Sequence, residues 1–164
     1  MNRIDDSLYH TGANKEIVEA FVGSKVDFIV IGGLAVSWYC STRQADDMDL
    51  LVNPEADNSR KVTDALSSLR TMAPQGLTAR SFSHLGVRAP LKHYYYADIL
   101  TPSRAGPSFE EIMKDSVEAK LFGLPVRLPS RACLLRLKES AAASAEGDVL
   151  KHRQDIALLR EDAL

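Results

Sequence analysis

The sequence predicts an α/β (α+β) fold, with a mixed central sheet flanked by helices and two helices closing the chain. Two short apolar, β-branched runs, residues 27–31 (DFIVI) and 48–52 (MDLLV), read as buried strands. Segments of helical periodicity alternate with such runs over short connections. Residues 130–164 carry helix signals alone. A length of 164 residues suits one compact domain, with 1–129 as its core and 130–164 as a helical segment packed on that core.

Taken in order, Asn14 can cap a helix over residues 15–24, with Ile17, Val18 and Phe21 at helical spacing. The strand 27–31 stops at Gly32-Gly33, and residues 34–39 form a short helix leaving the turn. The strand 48–52 closes at Asn53-Pro54. Asp57 caps a helix reaching Met72, with Val62, Leu66 and Leu69 along one face. Residues 77–100 hold two or three strands, with turn signals at Gly86 and Ala89-Pro90; the last, 91–100, carries Tyr94-Tyr95-Tyr96. A short helix over 109–113 and strands at 117–122 and 125–128, joined around Gly123, follow. Ser130 and Asp148 cap the two final helices, reaching Ser144 and Arg160.

Composition narrows the function. Hydrophobic residues make up 45% and charged residues 26%, so the chain can bury a core. Twenty basic against twenty-two acidic residues exclude a general polyanion binder, though not a local basic groove. No apolar run approaches the roughly 18 residues needed to cross a bilayer, so no membrane role is expected. The start, MNRIDDSLYH, reads as neither a secretory signal nor a transit peptide. Cys40 and Cys133 form neither a metal spacing nor a disulfide framework, and a reduced cytoplasmic setting is expected.

Three features combine into a candidate site. In the strand–Gly-Gly–helix segment FIVIGGLAVSWY, glycines let the backbone approach a ligand, and the helix start offers free N–H groups to phosphate. The same segment also reads as a plain tight turn. Asp47 and Asp49 flank Met48, so both carboxylates project from one side of a strand while Met48 faces the core. Two like charges side by side call for a divalent cation, and hard oxygen ligands suit Mg²⁺ or Mn²⁺. A solvated acidic loop with Asp46 is the plainer alternative. Asp98 ends an apolar, aromatic strand and would complete a three-carboxylate metal site if that strand lay beside the second. Otherwise it turns into the Thr101-Pro102 loop. Alternation puts Asp98, Tyr96 and Tyr94 on one face, where the tyrosines either line an acceptor pocket or pack on the sheet.

Thirteen residues, Leu34 to Asp46, separate the glycine pair from Asp47. In this pattern the chain resembles the nucleotidyltransferase superfamily of the DNA polymerase beta type: Ile31-Gly32-Gly33, then Asp47-Met48-Asp49-Leu50, then Asp98. It is similar in particular to small bacterial nucleotidyltransferase-like proteins that include the abortive-infection AbiEii-type toxins. Their Gly-Gly-x-Ala-Val appears as Gly32-Gly33-Leu34-Ala35-Val36. Their Arg-x-Thr-x-Asp-Ile-Asp-Leu-Leu-Val appears as the run Arg43 to Val52. The stretches VRLPSRACLLRLKESAA and KHRQDIALL resemble later family segments. The sequence departs from the pattern at Ala45 (usually Thr), Cys40 (commonly Gly) and His152 (commonly Asp).

The resemblance implies transfer of a nucleoside monophosphate from an NTP, ATP foremost, to an RNA or protein acceptor, with a cognate antitoxin as a further partner. Asp47, Asp49 and Asp98 would be catalytic and metal-holding, and Gly32, Gly33, Arg43 and Lys138 nucleotide-binding. Transfer to an aminoglycoside or lincosamide hydroxyl is the alternative activity; a non-catalytic nucleotide- or partner-binding module is the alternative of another class. Among the other singled-out residues, Lys138 also reads as a snorkelling surface lysine. Lys151 and Asp155, four apart, read as a surface helix pair. Trp38 reads as core, and the four histidines show no ligand spacing.

Overall fold

The computed structural model describes residues 4–145 and 147–161. Residues 1–3 of the polar start, and Glu146 and 162–164 of the closing helical segment, lie outside the described residues. The elements are α1 (Asn14–Gly23), β1 (Phe28–Ile31), α2 (Gly32–Tyr39), β2 (Met48–Val52), α3 (Ala56–Ser67), β3 (Arg88–Leu91), β4 (Ala97–Leu100), α4 (Phe109–Lys114), β5 (Val117–Leu121), β6 (Leu124–Leu128), α5 (Arg131–Ala143) and α6 (Val149–Glu161). A 3-10 turn at Ile4–Ser7 precedes them.

The strands form a mixed sheet of order β1-β2-β4-β3, with β2 and β4 parallel and the outer pairs antiparallel. The β5-β6 hairpin is a separate two-stranded unit, with β6 packed against β1. Side chains alternate across the sheet. Val30, Met48, Leu50, Ala97 and Ile99 enter the large core, which includes Ile17, Val18 and Phe21 of α1 and Val62 and Leu66 of α3. Ile29 and Leu51 point the other way, to Phe109 and Ile112 of α4 and Cys133 of α5. Because Asp49 is two residues before Leu51, and Asp98 two before Leu100, both carboxylates belong to this second face. No helix of the described residues is long and apolar enough to cross a membrane.

Four expectations need correction. Asn14 does not cap α1. It is fully buried, its amide donating to the Tyr96 carbonyl at 3.0 Å and its oxygen accepting from the Tyr96 amide at 2.8 Å. The α3 helix begins before Asp57, which lies in its first turn and pairs with Arg60 at 2.6 Å. It also ends at Ser67, short of Met72, because Glu16 of α1 accepts from the amides of Arg70 and Thr71 at 3.0 Å each and draws the chain away. Ala89-Pro90 is no turn. It lies within β3, an edge strand whose outer side needs no donor. The 91–100 segment is not one strand, because Tyr94 takes a left-handed φ of +70°. Tyr95, Ala97 and Ile99 still turn into the core as alternation requires.

The Asn14 clamp gives a stability prediction. Asn14→Ala strips the Tyr96 amide of its acceptor, while the Tyr96 carbonyl keeps the Met48 amide at 2.8 Å, and should lower stability by roughly 1–3 kcal/mol. Chemical denaturation measures this as a lower midpoint at unchanged slope; an unchanged midpoint would show that the clamp is dispensable.

Candidate active site

Parallel pairing of β2 and β4 sets Asp49 directly opposite Asp98. Asp98 is almost wholly buried, at 1% exposure. Its Oδ2 accepts from Arg88 Nη2 at 2.9 Å and Lys92 Nζ at 3.3 Å, while its Oδ1 is buried with no hydrogen-bond partner. Asp47, at the mouth of β2, is half-exposed and pairs with the same Lys92 ammonium at 2.9 Å. Lys92 thus bridges Asp47 and Asp98, and its own pKa is raised: burial works against its charge, but the two carboxylates prevail. The expected neighbouring of the two strands is present. The convergence of three carboxylates on one point is not: among the described residues no group of three His, Cys, Asp or Glu side chains is arranged to hold a metal ion.

Burial pushes the Asp49 carboxyl up to about 7, with the adjacent Asp98 charge adding to the rise. Between its ordinary value near 3.8 and about 7, the folded protein therefore holds a proton that the unfolded chain has released. Stability from the neutral form is complete below the ordinary value and is lost as pH rises through about 7. Asp49→Asn should then match the wild-type melting temperature near pH 4 and exceed it increasingly up to pH 8, measured with a chelator present. A difference independent of pH would assign another cause.

The glycine pair serves two neighbours. Gly32 has φ +71°, and a Cβ there would collide with the Asp49 carboxylate. A Cβ at Gly33 would stand 2.5 Å from Arg43 Nη2. What lies against Gly33 is therefore a guanidinium. Arg43, expected at phosphate, is itself tied to Asp155, through Nε to Oδ1 at 2.7 Å and Nη2 to Oδ2 at 3.2 Å. Its Nη1 also donates to the Gln44 carbonyl.

Lys138 is no surface lysine: at 7% exposure it reaches Asp155 Oδ2 at 2.9 Å and stands 3.4 Å from His152 Nδ1. The expected Lys151–Asp155 surface pair does not form either. Asp155 is 1% exposed, and Lys151 instead binds Asp46 at 2.6 Å. Burial raises the Asp155 carboxyl, but the Arg43 hydrogen bond and the Lys138 charge outweigh it and leave the pKa lowered. Its contribution to stability is accordingly present above the ordinary value and lost as pH falls, opposite in sign to Asp49. Local sequence does not mark the cross-element contacts of Asp155 or Lys92; for Asp155 the one signal is the likeness of KHRQDIALL to a family segment.

These groups line a cleft between the sheet, α5 and α6. A polar chamber of about 260 Å³ is lined by Gly33, Arg43, Asp47, Asp49, Asp98 and Lys138, among others. An adjoining apolar chamber of about 180 Å³ is walled by Ile31, Leu51, Leu100, Ile112, Leu134 and Leu137. Asp49, Arg88, Lys138 and His152 belong to both. Tyr96 stacks on His10 with ring centroids 5.0 Å apart, while Tyr94 is exposed. Trp38 packs against the core, as read from the sequence.

No family model matches the sequence, and no curated protein matches it. Solved structures do. The crystal structure of an antigenic nucleotidyltransferase-like protein from Paracoccidioides brasiliensis superposes with a TM-score of 0.53 at 15% identity, over 90% of this chain and 74% of that one. A crystal structure of ANT(2″)-Ia in complex with adenylyl-2″-tobramycin gives 0.54 at 16% identity, over 92% and 87% of the two chains. A solution structure of the antibiotic-resistance factor ANT(2″)-Ia gives 0.57 at 16% identity, over 93% and 83%. The chain has the nucleotidyltransferase fold.

Proposed function

We propose that this chain is a metal-dependent nucleotidyltransferase moving a nucleoside monophosphate from an NTP, ATP foremost, to an RNA or protein acceptor, as the sequence likeness to AbiEii-type toxins implies. The observation that carries the reading is the pairing of Asp49 with Asp98, whose buried Oδ1 has no partner. An unpartnered buried carboxylate oxygen beside a second, partly neutralised carboxyl fits a hard divalent cation. Lys92 answers part of that demand for positive charge. Asp49 and Asp98 would hold Mg²⁺ or Mn²⁺, joined by Asp47 once Lys92 turns outward. Bound there, the metal supplies Lewis-acid stabilisation of the attacking and leaving oxygens.

The chain's own groups do the rest. Arg43, Lys138 and the α2 start at Gly32-Gly33 receive the triphosphate. The acceptor oxygen bonds to the α-phosphorus as the bond to the leaving pyrophosphate breaks, and Asp98 takes the hydroxyl proton. A cognate antitoxin would act by covering this cleft.

The test is incubation with Mg²⁺ and ATP labelled at the α- or γ-phosphate, the other NTPs in parallel, against a panel of RNAs, proteins and antibiotics. Alpha but not gamma label should appear on an RNA or protein. The second reading, transfer to an antibiotic hydroxyl, draws on the structural neighbour solved with adenylyl-2″-tobramycin. Label on tobramycin would establish that reading. Nucleotide binding without transfer to any acceptor in the panel would leave a non-catalytic module.

A further inference from the structure

We propose that Asp155 is a positioning residue that holds Arg43 and Lys138 at the polar chamber, so that their remaining donors meet the nucleotide's triphosphate. The inference rests on the nucleotidyltransferase reading above. Three separate elements supply the groups: Arg43 follows α2, Lys138 is on α5 and Asp155 on α6. Both Asp155 oxygens are used, Oδ1 by Arg43 Nε at 2.7 Å, and Oδ2 by Arg43 Nη2 at 3.2 Å and Lys138 Nζ at 2.9 Å. Such a two-pronged contact fixes the guanidinium plane as a single hydrogen bond would not. Among the described residues, the contacts to Asp155 and to the Gln44 carbonyl use three of the five guanidinium N–H groups. The Nη2 edge lies against Gly33, at the first turn of α2.

One buried carboxylate faces two cations, so Asp155 alone does not neutralise the pair it holds, in a chamber that also carries the carboxylates of Asp46, Asp47, Asp49 and Asp98. A buried ionic cluster is a poor source of stability, since apolar side chains of like volume commonly do as well or better. Preorganised donors aimed at an anion are what such a cluster provides at lower cost than water would.

Electrostatics and positioning predict opposite signs for one substitution. If Asp155 acted only through its charge, removing that charge would strengthen binding of an anion. If it positions the two cations, removing it weakens binding. Asp155→Asn keeps the shape and removes the charge. Titration calorimetry with ATP and with AMP, each with Mg²⁺, should show ATP affinity falling about 10- to 100-fold, as misplaced binding groups cost, with AMP within about twofold. Asp155→Glu keeps the charge and displaces the carboxylate, and should show the same ATP-selective loss if Asp155→Asn does not fold. In an Arg43→Ala background, Asp155→Asn should have a much smaller further effect. Tighter or unchanged ATP binding, or equal losses for ATP and AMP, would overturn the positioning role. A wild-type protein that binds none of the four NTPs would instead overturn the nucleotidyltransferase reading itself.

Discussion

Asp98→Asn should abolish nucleotide transfer while leaving the protein folded. The substitution preserves size, but the new amide can neither take the acceptor proton nor present two anionic oxygens to a cation. Asp98 sits opposite Asp49 in register, with its Oδ1 unpartnered. Under the function proposed above, this one side chain would serve both as proton acceptor and as metal ligand. Metal-assisted stabilisation is worth several kcal/mol, so the transfer rate should fall by about 10³-fold or more. ATP affinity should fall far less, because Arg43 and Lys138 are held from other elements. Arg88 and Lys92, both well exposed, lose an ion partner but regain water, which limits the loss of stability. A variant that keeps more than a tenth of the wild-type rate would remove Asp98 from the chemistry.

Gly32→Val should combine the largest stability loss with loss of function, and Gly33→Val should separate the two. At Gly32 the backbone is left-handed, and a β-branched residue there costs about 1–3 kcal/mol of strain before any contact is counted. Its Cβ would also drive the Asp49 carboxylate off its place beside Asp98. Both melting temperature and transfer should drop. No such left-handed strain applies at Gly33; the obstacle is Arg43 Nη2, at 2.5 Å from a Cβ. Gly33→Val should therefore weaken ATP binding more than it lowers the melting temperature. Equal thermal losses in the two variants would reduce the pair to an ordinary turn.

The strands of the site were legible because short apolar, β-branched runs suit strands buried on both faces. DFIVI and MDLLV read as buried strands, and period-two alternation already put Asp47 and Asp49 opposite Met48. Asp98 was legible because a charge ending an aromatic strand needs a partner. What escaped were pairings made across the chain. Nothing local tells that Asn14 will serve Tyr96 rather than cap its own helix, or that Asp155 will bind Arg43 rather than Lys151. Spacing of four offers Asp155 a partner on its own helix, but the buried side chain turns instead to Arg43, 112 residues away. Lys92 escaped for a similar reason: its place between Asp47 and Asp98 depends on the bend at Tyr94, which the continuous apolar pattern concealed.

Pro90 has a consequence for how this protein can meet others. Sheets recruit partners most readily through an unpaired margin, where a second chain simply continues the ladder. Here the β3 margin contains a residue with no N–H to offer, beside the exposed Arg88. At the opposite margin, β6 lies against β1. Strand addition is thus discouraged on both sides, and with it the commonest route to runaway edge-to-edge stacking. A partner docking at either margin of this sheet must read side chains rather than backbone, so its recognition should be sensitive to single surface substitutions. Pro90→Val would reopen the β3 margin, and self-association on concentrating that variant is the expected sign.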